Sequence, residues 1–115
     1  MRTPLILAAA VVVLAAACGG SDGGSPDDVC PSPVSADRVE MGDFFYEPAC
    51  VEVQQDATLG LDNTGEAPHT FTIDGAEADV AAGSSQDLDL TGVAPGTYEV
   101  TCTYHPQMTG GLRIV

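Results

Sequence analysis

The chain has 115 residues, with 17 Asp and Glu against three arginines and no lysine, and a formal charge of −14 at pH 7. One domain is the natural size. The scarcity of cations excludes a nucleic-acid partner, because affinity for phosphates needs basic groups to displace counterions. The acidity favours solubility and attraction to basic partners. Compositional bias or adaptation to salt accounts for it equally well.

The first element is an export signal. Arg2 gives a positive start, and residues 5–17 are an unbroken apolar run of 13 residues. A bilayer-spanning helix needs about 20, whereas a charged start, a short apolar centre and small residues at the end describe a signal peptide over residues 1–17. The segment Leu14-Ala15-Ala16-Ala17-Cys18 resembles the lipobox of bacterial lipoproteins, with Leu four places before the Cys where the family usually has three. That resemblance implies cleavage before Cys18 and lipid on its sulfur, with Cys18 the sole membrane contact. An ordinary cut near Ala17, leaving a soluble protein, is the other reading. Removal of residues 1–17 leaves 98 residues with Arg38 and Arg113 against 17 acids, a charge of −15. That length suffices for one modest core.

Residues 19–28 (GGSDGGSPDD) hold only Gly, Ser, Pro and Asp. Such a stretch buries nothing and reads as a flexible tether. Ten such residues have an end-to-end distance of about 17 Å as a random coil. With Cys18 assigned to lipid, three cysteines remain in an exported chain, where disulfides persist. Pairing Cys30 with Cys50 closes a loop of about 20 residues, worth roughly 3 kcal/mol in the chain-entropy model. Cys102 is then an odd thiol that needs a reason. Sequence does not fix the connectivity, and a bridge from Cys102 to Cys30 or Cys50 stays open.

From about Val34 onward, apolar pairs bracket single residues: Val51 and Val53, Leu59 and Leu61, Phe71 and Ile73, Leu88 and Leu90, Tyr98 and Val100, Leu112 and Ile114. Period two with one polar face predicts half-buried strands. Turn signals separate them at Asn63-Thr64-Gly65, Asp74-Gly75, Ala82-Gly83-Ser84, Pro95-Gly96 and Gly110-Gly111. Pro95-Gly96 suits a type II turn. No segment carries a convincing helical stripe. The expected architecture is all-β, an antiparallel sandwich or barrel of about seven to eight strands.

Counting back by two from Ile73 and Phe71 reaches His69; counting forward from Tyr98 and Val100 reaches Cys102. Both are in phase with the buried face of their strands. If the two strands are antiparallel neighbours, His69 and Cys102 share one end of the sandwich. Beyond Cys102, the run Cys102-Thr103-Tyr104-His105-Pro106-Gln107-Met108 sets Cys, His and Met three apart, and a tight loop can turn all three to one point. Pro106 stiffens that loop, and Pro68 restrains the approach to His69. Zinc prefers N, O or thiolate sulfur. Two imidazoles, a thiolate and a thioether describe a blue-copper electron-transfer site. Taken singly, His69 reads as a turn residue and Met108 as core filling; the C-x-x-H-x-x-M run with the odd thiol turns the balance. Tyr98 reads as structural, its hydroxyl on a backbone partner. Tyr104 is placed to shield a metal.

Pro-His-Thr-Phe (68–71) followed by Gly-Thr-Tyr-Glu-Val-Thr-Cys-Thr-Tyr-His-Pro-Gln-Met (96–108) resembles the cupredoxins, nearest to plastocyanin-like and amicyanin-like carriers. Phe44-Phe45-Tyr46-Glu47-Pro48 resembles their early part. The resemblance covers residues 38–115 and implies an eight-strand Greek-key sandwich. It implies one type 1 copper ion held by His69, Cys102 and His105 as equatorial ligands and by Met108 as axial ligand. It also implies electron exit at the outer edge of His105, through an apolar patch to which Pro106, Met108 and Pro68 contribute. Cys30, Cys50 and the acidity depart from the family pattern.

The organisation expected is therefore a signal peptide at 1–17, a lipidated Cys and tether at 18–33, and a copper-binding domain at 34–115. The function expected is single-electron shuttling by a monomer on the periplasmic or extracellular face, with redox proteins such as a basic cytochrome as partners. Copper storage or delivery is the competing reading. Catalysis is not expected, because multicopper oxidases and copper nitrite reductases need further His clusters and this chain has two His in all. The N–H of Thr70 is placed to donate to the Cys102 sulfur.

Overall fold

A computed structural model describes residues 26–115; the signal segment, Cys18 and the tether to residue 25 lie outside the described residues. Alternating side chains bury one face of each short strand, and two such faces close on each other. After one helical turn, α1 (Pro26–Val29), come ten strands: β1 (Val34–Ser35), β2 (Arg38–Gly42), β3 (Phe45–Glu47), β4 (Cys50–Val53), β5 (Thr58–Asn63), β6 (His69–Ile73), β7 (Ala76–Val80), β8 (Ser85–Asp89), β9 (Gly96–Thr101) and β10 (Thr109–Ile114). One sheet has the order β1-β4-β10-β9-β6-β7 and the other β3-β2-β5-β8. The result is an all-β Greek-key sandwich.

All six bracketed pairs contribute to its core, with Tyr98 half-buried and the others buried. Four strands lie outside these six pairs, β2 among them although Val39 and Met41 bracket Glu40 in the same way, and ten strands are found where seven or eight were expected. β1 and β3 are too short to show a period. β7 (AEADV) offers Ala78 as one of its two buried residues, and Ala is a weak apolar signal. β2 buries Val39 and Met41 completely. The pairing is also mixed where the periodicity predicts antiparallel: β1 with β4, β4 with β10, and β2 with β5 are parallel. Parallel neighbours are joined through distant connections, and a local pattern holds no trace of them.

Between β2 and β5 the Arg38 guanidinium clamps Asp62 with bonds of 2.7 and 2.6 Å, and Ser85 donates to the same carboxylate at 2.6 Å. Asp62 is consequently held well below the usual carboxylate range, chiefly by the Arg38 hydrogen bond. The Asp74-Gly75 turn closes the β6–β7 hairpin with Gly75 at φ 106°. The type II turn expected at Pro95-Gly96 is not formed. Gly96 lies at φ 152° and already opens β9, because its extended backbone enters the ladder directly opposite Ile114.

Candidate metal centre

The site lies at one end of the sandwich, where β6 begins and β9 stops. The two strands are antiparallel neighbours, with Thr72 opposite Thr101. His69, the first residue of β6, is completely buried; Cys102, directly after β9, is 1% exposed. The Cys102 Sγ and His69 Nδ1 face each other at 3.9 Å. The Thr70 N–H donates to Cys102 Sγ at 3.4 Å, as its position in the sequence predicts. The Thr70 hydroxyl in turn accepts the Thr103 N–H at 2.8 Å, so Thr70 holds both the sulfur and the first peptide of the loop that follows it.

The spacing of three in the loop has a local cause. The His105 N–H donates to the Cys102 carbonyl at 3.2 Å, and the Met108 N–H to the His105 carbonyl at 2.9 Å. These are two successive four-residue turns, and Pro106 stands second in the later one, where its fixed φ is favoured. The Cys102 N–H donates to the Met108 carbonyl at 3.2 Å and closes the loop on itself. Met108 is 1% exposed. The His105 ring lies 5.1 Å from the His69 ring at 60°. Its Nε2 is a buried polar atom with no hydrogen-bond partner, and such a group costs about 1–3 kcal/mol unless something fills it.

The structure therefore brings His69, Cys102 and His105 together and buries Met108 at the end of the same loop. Among the described residues, His, Cys, Asp and Glu alone do not gather in threes at metal-binding closeness. The His69–Cys102 pair is in place. His105 stands beside it, its ring centroid 5.1 Å from that of His69. Tyr104 is exposed and donates its hydroxyl to Asp79, on β7. Tyr98 donates to the Ala94 carbonyl at 2.5 Å, the backbone partner expected of it.

Cys30 is bonded to Cys50, and Cys102 is the free cysteine among the described residues. Denaturing, non-reducing thiol titration of the metal-free mature protein should therefore label Cys102 and leave Cys30 and Cys50 protected. Label on either of the latter would overturn that pairing.

Three contributors escape the sequence pattern, and all lie on the connection from β2 to β3 or just beyond it. Asp43 Oδ1 lies 3.0 Å from His69 Nε2. Its carboxyl is held below the usual range, first by the Glu66 N–H and next by the His69 hydrogen bond. Phe44, at φ 76° and 63% exposed, stands edge-on to the His105 ring at 5.0 Å and to the His69 ring at 6.4 Å. Tyr46 is buried and donates its hydroxyl to the Thr70 carbonyl at 2.6 Å. Burial, and secondarily the charge of Cys102, pushes this phenol well above its ordinary pKa. The signal available was the resemblance of residues 44–48; turn residues have no period to read.

Comparison with solved structures supports the fold. A purple cupredoxin from Nitrosopumilus maritimus aligns over 70% of this chain and 100% of its own, with a TM-score of 0.58 and 16% identity. A point variant of amicyanin in its Cu(I) form aligns over 70% of this chain and 82% of its own, with a TM-score of 0.58 and 26% identity. A Cu-containing nitrite reductase from Thermus scotoductus SA-01 aligns over 68% of this chain but only 22% of its own, with a TM-score of 0.54 and 19% identity. No curated protein matches the sequence. Residues 7–115 match the family described as the cupredoxin-like domain. With that match spanning nearly the whole chain, the protein belongs to the cupredoxin-like domain family.

Proposed function

We propose that this protein is an exported blue-copper electron carrier, tethered through lipid on Cys18, whose His69, Cys102, His105 and Met108 hold one copper ion. The observation that carries the reading is the free, buried Cys102 sulfur facing His69 Nδ1 at 3.9 Å, beside an imidazole whose buried Nε2 has no partner. A thiolate, two imidazoles and a thioether suit copper in either oxidation state. Copper held there would supply one-electron chemistry between Cu(I) and Cu(II).

The chain's own residues supply the rest. The self-closed loop and the β6–β9 pair resist rearrangement between oxidation states. The Thr70 N–H draws charge from the Cys102 sulfur, the kind of outer contact that tunes a metal site. Around the site the exposed side chains include Phe44, Pro68, Tyr104 and Pro106, with the polar Thr103 and Gln107 on the same loop. Met108 is buried and so does not join the surface patch to which the family resemblance assigned it; its side chain is used inside. Met108→Gln should keep copper bound but lower the reduction potential, because a weak axial thioether contributes little affinity while favouring Cu(I). Outright loss of copper, or an unmoved potential, would remove Met108 from that role.

A carrier must dock briefly and leave. With a mature charge of −15, attraction to a basic redox protein should be long-ranged and should weaken as salt shortens the Debye length to about 8 Å at 0.15 M. The competing reading is copper storage or delivery, for which the soft Cys102 and Met108 donors also suit Cu(I). Stopped-flow mixing with a basic cytochrome, followed by metal analysis of both proteins, separates them. Fast electron exchange that slows steeply with salt supports the carrier. Transfer of copper with sluggish electron exchange would replace it with the delivery reading.

A further inference from the structure

We propose that Asp43 is a positioning residue of this site: its carboxylate holds His69 in the tautomer that keeps the proton on Nε2 and leaves Nδ1 bare toward Cys102. The inference rests on the copper reading for its purpose but not for its geometry. An ionised carboxylate only accepts hydrogen bonds. A ring nitrogen 3.0 Å from Asp43 Oδ1 must therefore carry the proton. A neutral imidazole has one N–H, so the lone pair falls on Nδ1, the nitrogen that faces Cys102 Sγ.

Asp43 is itself held by the chain that delivers His69. Its Oδ1 accepts the Glu66 N–H at 3.0 Å and the Ala67 N–H at 3.2 Å, and Oδ2 shares the Glu66 N–H at 3.1 Å. One carboxylate thus fixes both the ring and the peptide segment leading into it. The approach is close enough that a Cβ on Gly65 would run into Asp43 Oδ1. Buried Asn63 braces the same segment by donating to the Ala67 and Val80 carbonyls, each at 2.9 Å. On the other side, Phe44 accepts a left-handed φ of 76°, a conformation that costs a non-Gly residue about 1 kcal/mol or more. It leaves Asp43 on the His69 segment and the Phe44 ring against both imidazoles. Two adjacent turn residues therefore serve the site, Asp43 by a hydrogen bond to His69 and Phe44 by ring contact with both histidines.

Two substitutions separate charge from geometry. In D43N the amide oxygen can take all three contacts made by Oδ1, so the fold and the tautomer should persist while the negative charge is gone. In D43A the acceptor is lost. Nitrogen-15 NMR of histidine in the metal-free protein reads the tautomer directly. Wild type and D43N should show the proton on His69 Nε2, and D43A should show Nδ1–H populated. With copper added, D43A should bind Cu(II) about 10- to 100-fold more weakly, the usual loss for removing an outer partner of a ligating His. D43N should raise the reduction potential, since a less basic imidazole favours Cu(II) less. A wild-type proton on Nδ1 overturns the proposal, and so does an unchanged potential in D43N. Should D43A fail to fold, D43N decides alone. A colourless copper(II)-loaded wild type would end the blue-copper reading and leave the tautomer result standing.

Discussion

Copper(II) added to the mature protein is expected to turn it intensely blue, and Cys102→Ser is expected to abolish that colour completely. The colour arises from charge transfer out of a thiolate, and Cys102 is the only thiol among the described residues not engaged in a disulfide. The serine variant should remain folded. The sulfur is 1% exposed, so the replacing hydroxyl is buried, but the Thr70 N–H that now donates to sulfur at 3.4 Å is available to it. The remaining cost is about 1–3 kcal/mol for any hydrogen-bonding capacity left unmet, and a native circular dichroism spectrum would show that it is tolerated. A wild-type protein that retains Cu(II) without colour would defeat the assignment, since neither imidazoles nor a thioether reproduce that absorption.

The second large effect is on stability. Phe71→Ala should cost about 3–5 kcal/mol, the range for truncating a buried aromatic side chain. For a domain of this size that corresponds to a fall in Tm of roughly 12–40 °C, at about 4–8 °C per kcal/mol. Phe71 is 1% exposed, sits two residues after His69 on β6, and meets the Tyr46 ring edge-on at 5.7 Å. Its loss removes the ring packed against the phenol that holds the Thr70 carbonyl. Phe44→Ala makes the contrast. That ring is 63% exposed, and its removal should change stability by no more than about 0.5 kcal/mol. Thermal melts of the pair test whether burial, and not aromatic character, sets the cost. Equal losses from the two variants would contradict the placement of these rings.

The proposed donor set was legible because it is periodic. His69 and Cys102 are each two residues from a core side chain on the same strand face, and the loop spacing of three matches its own turn hydrogen bonds. The strand pairs were legible for the same reason. What stayed hidden is long-range. Val39 and Met41 alternate around Glu40 like the other pairs, but the parallel pairing of their strand with β5 joins segments about 20 residues apart in the chain. Asp43 acts on His69 across 26 residues, from a turn that also holds a non-glycine residue at positive φ. Burial follows from alternation, whereas a contact made by a turn depends on where the rest of the chain brings its target. The surface role of Met108 came from the family resemblance alone, which carries no information on burial, and its side chain is 1% exposed.

The loop of two turns has a consequence for linkage between metal and folding. Cys102, His105 and Met108 lie within seven residues and remain neighbours in an unfolded chain, where nothing prevents them from binding a soft metal together. A ligand stabilises the native state only by the margin with which it prefers that state over the unfolded one, and affinity for the unfolded chain reduces the margin. Here the margin comes from what folding adds to the loop: His69 carried in on β6, the Thr70 N–H, and exclusion of water. On the proposed donor set, the thermal stabilisation given by the metal should thus report these additions alone, and it will understate the total strength of binding.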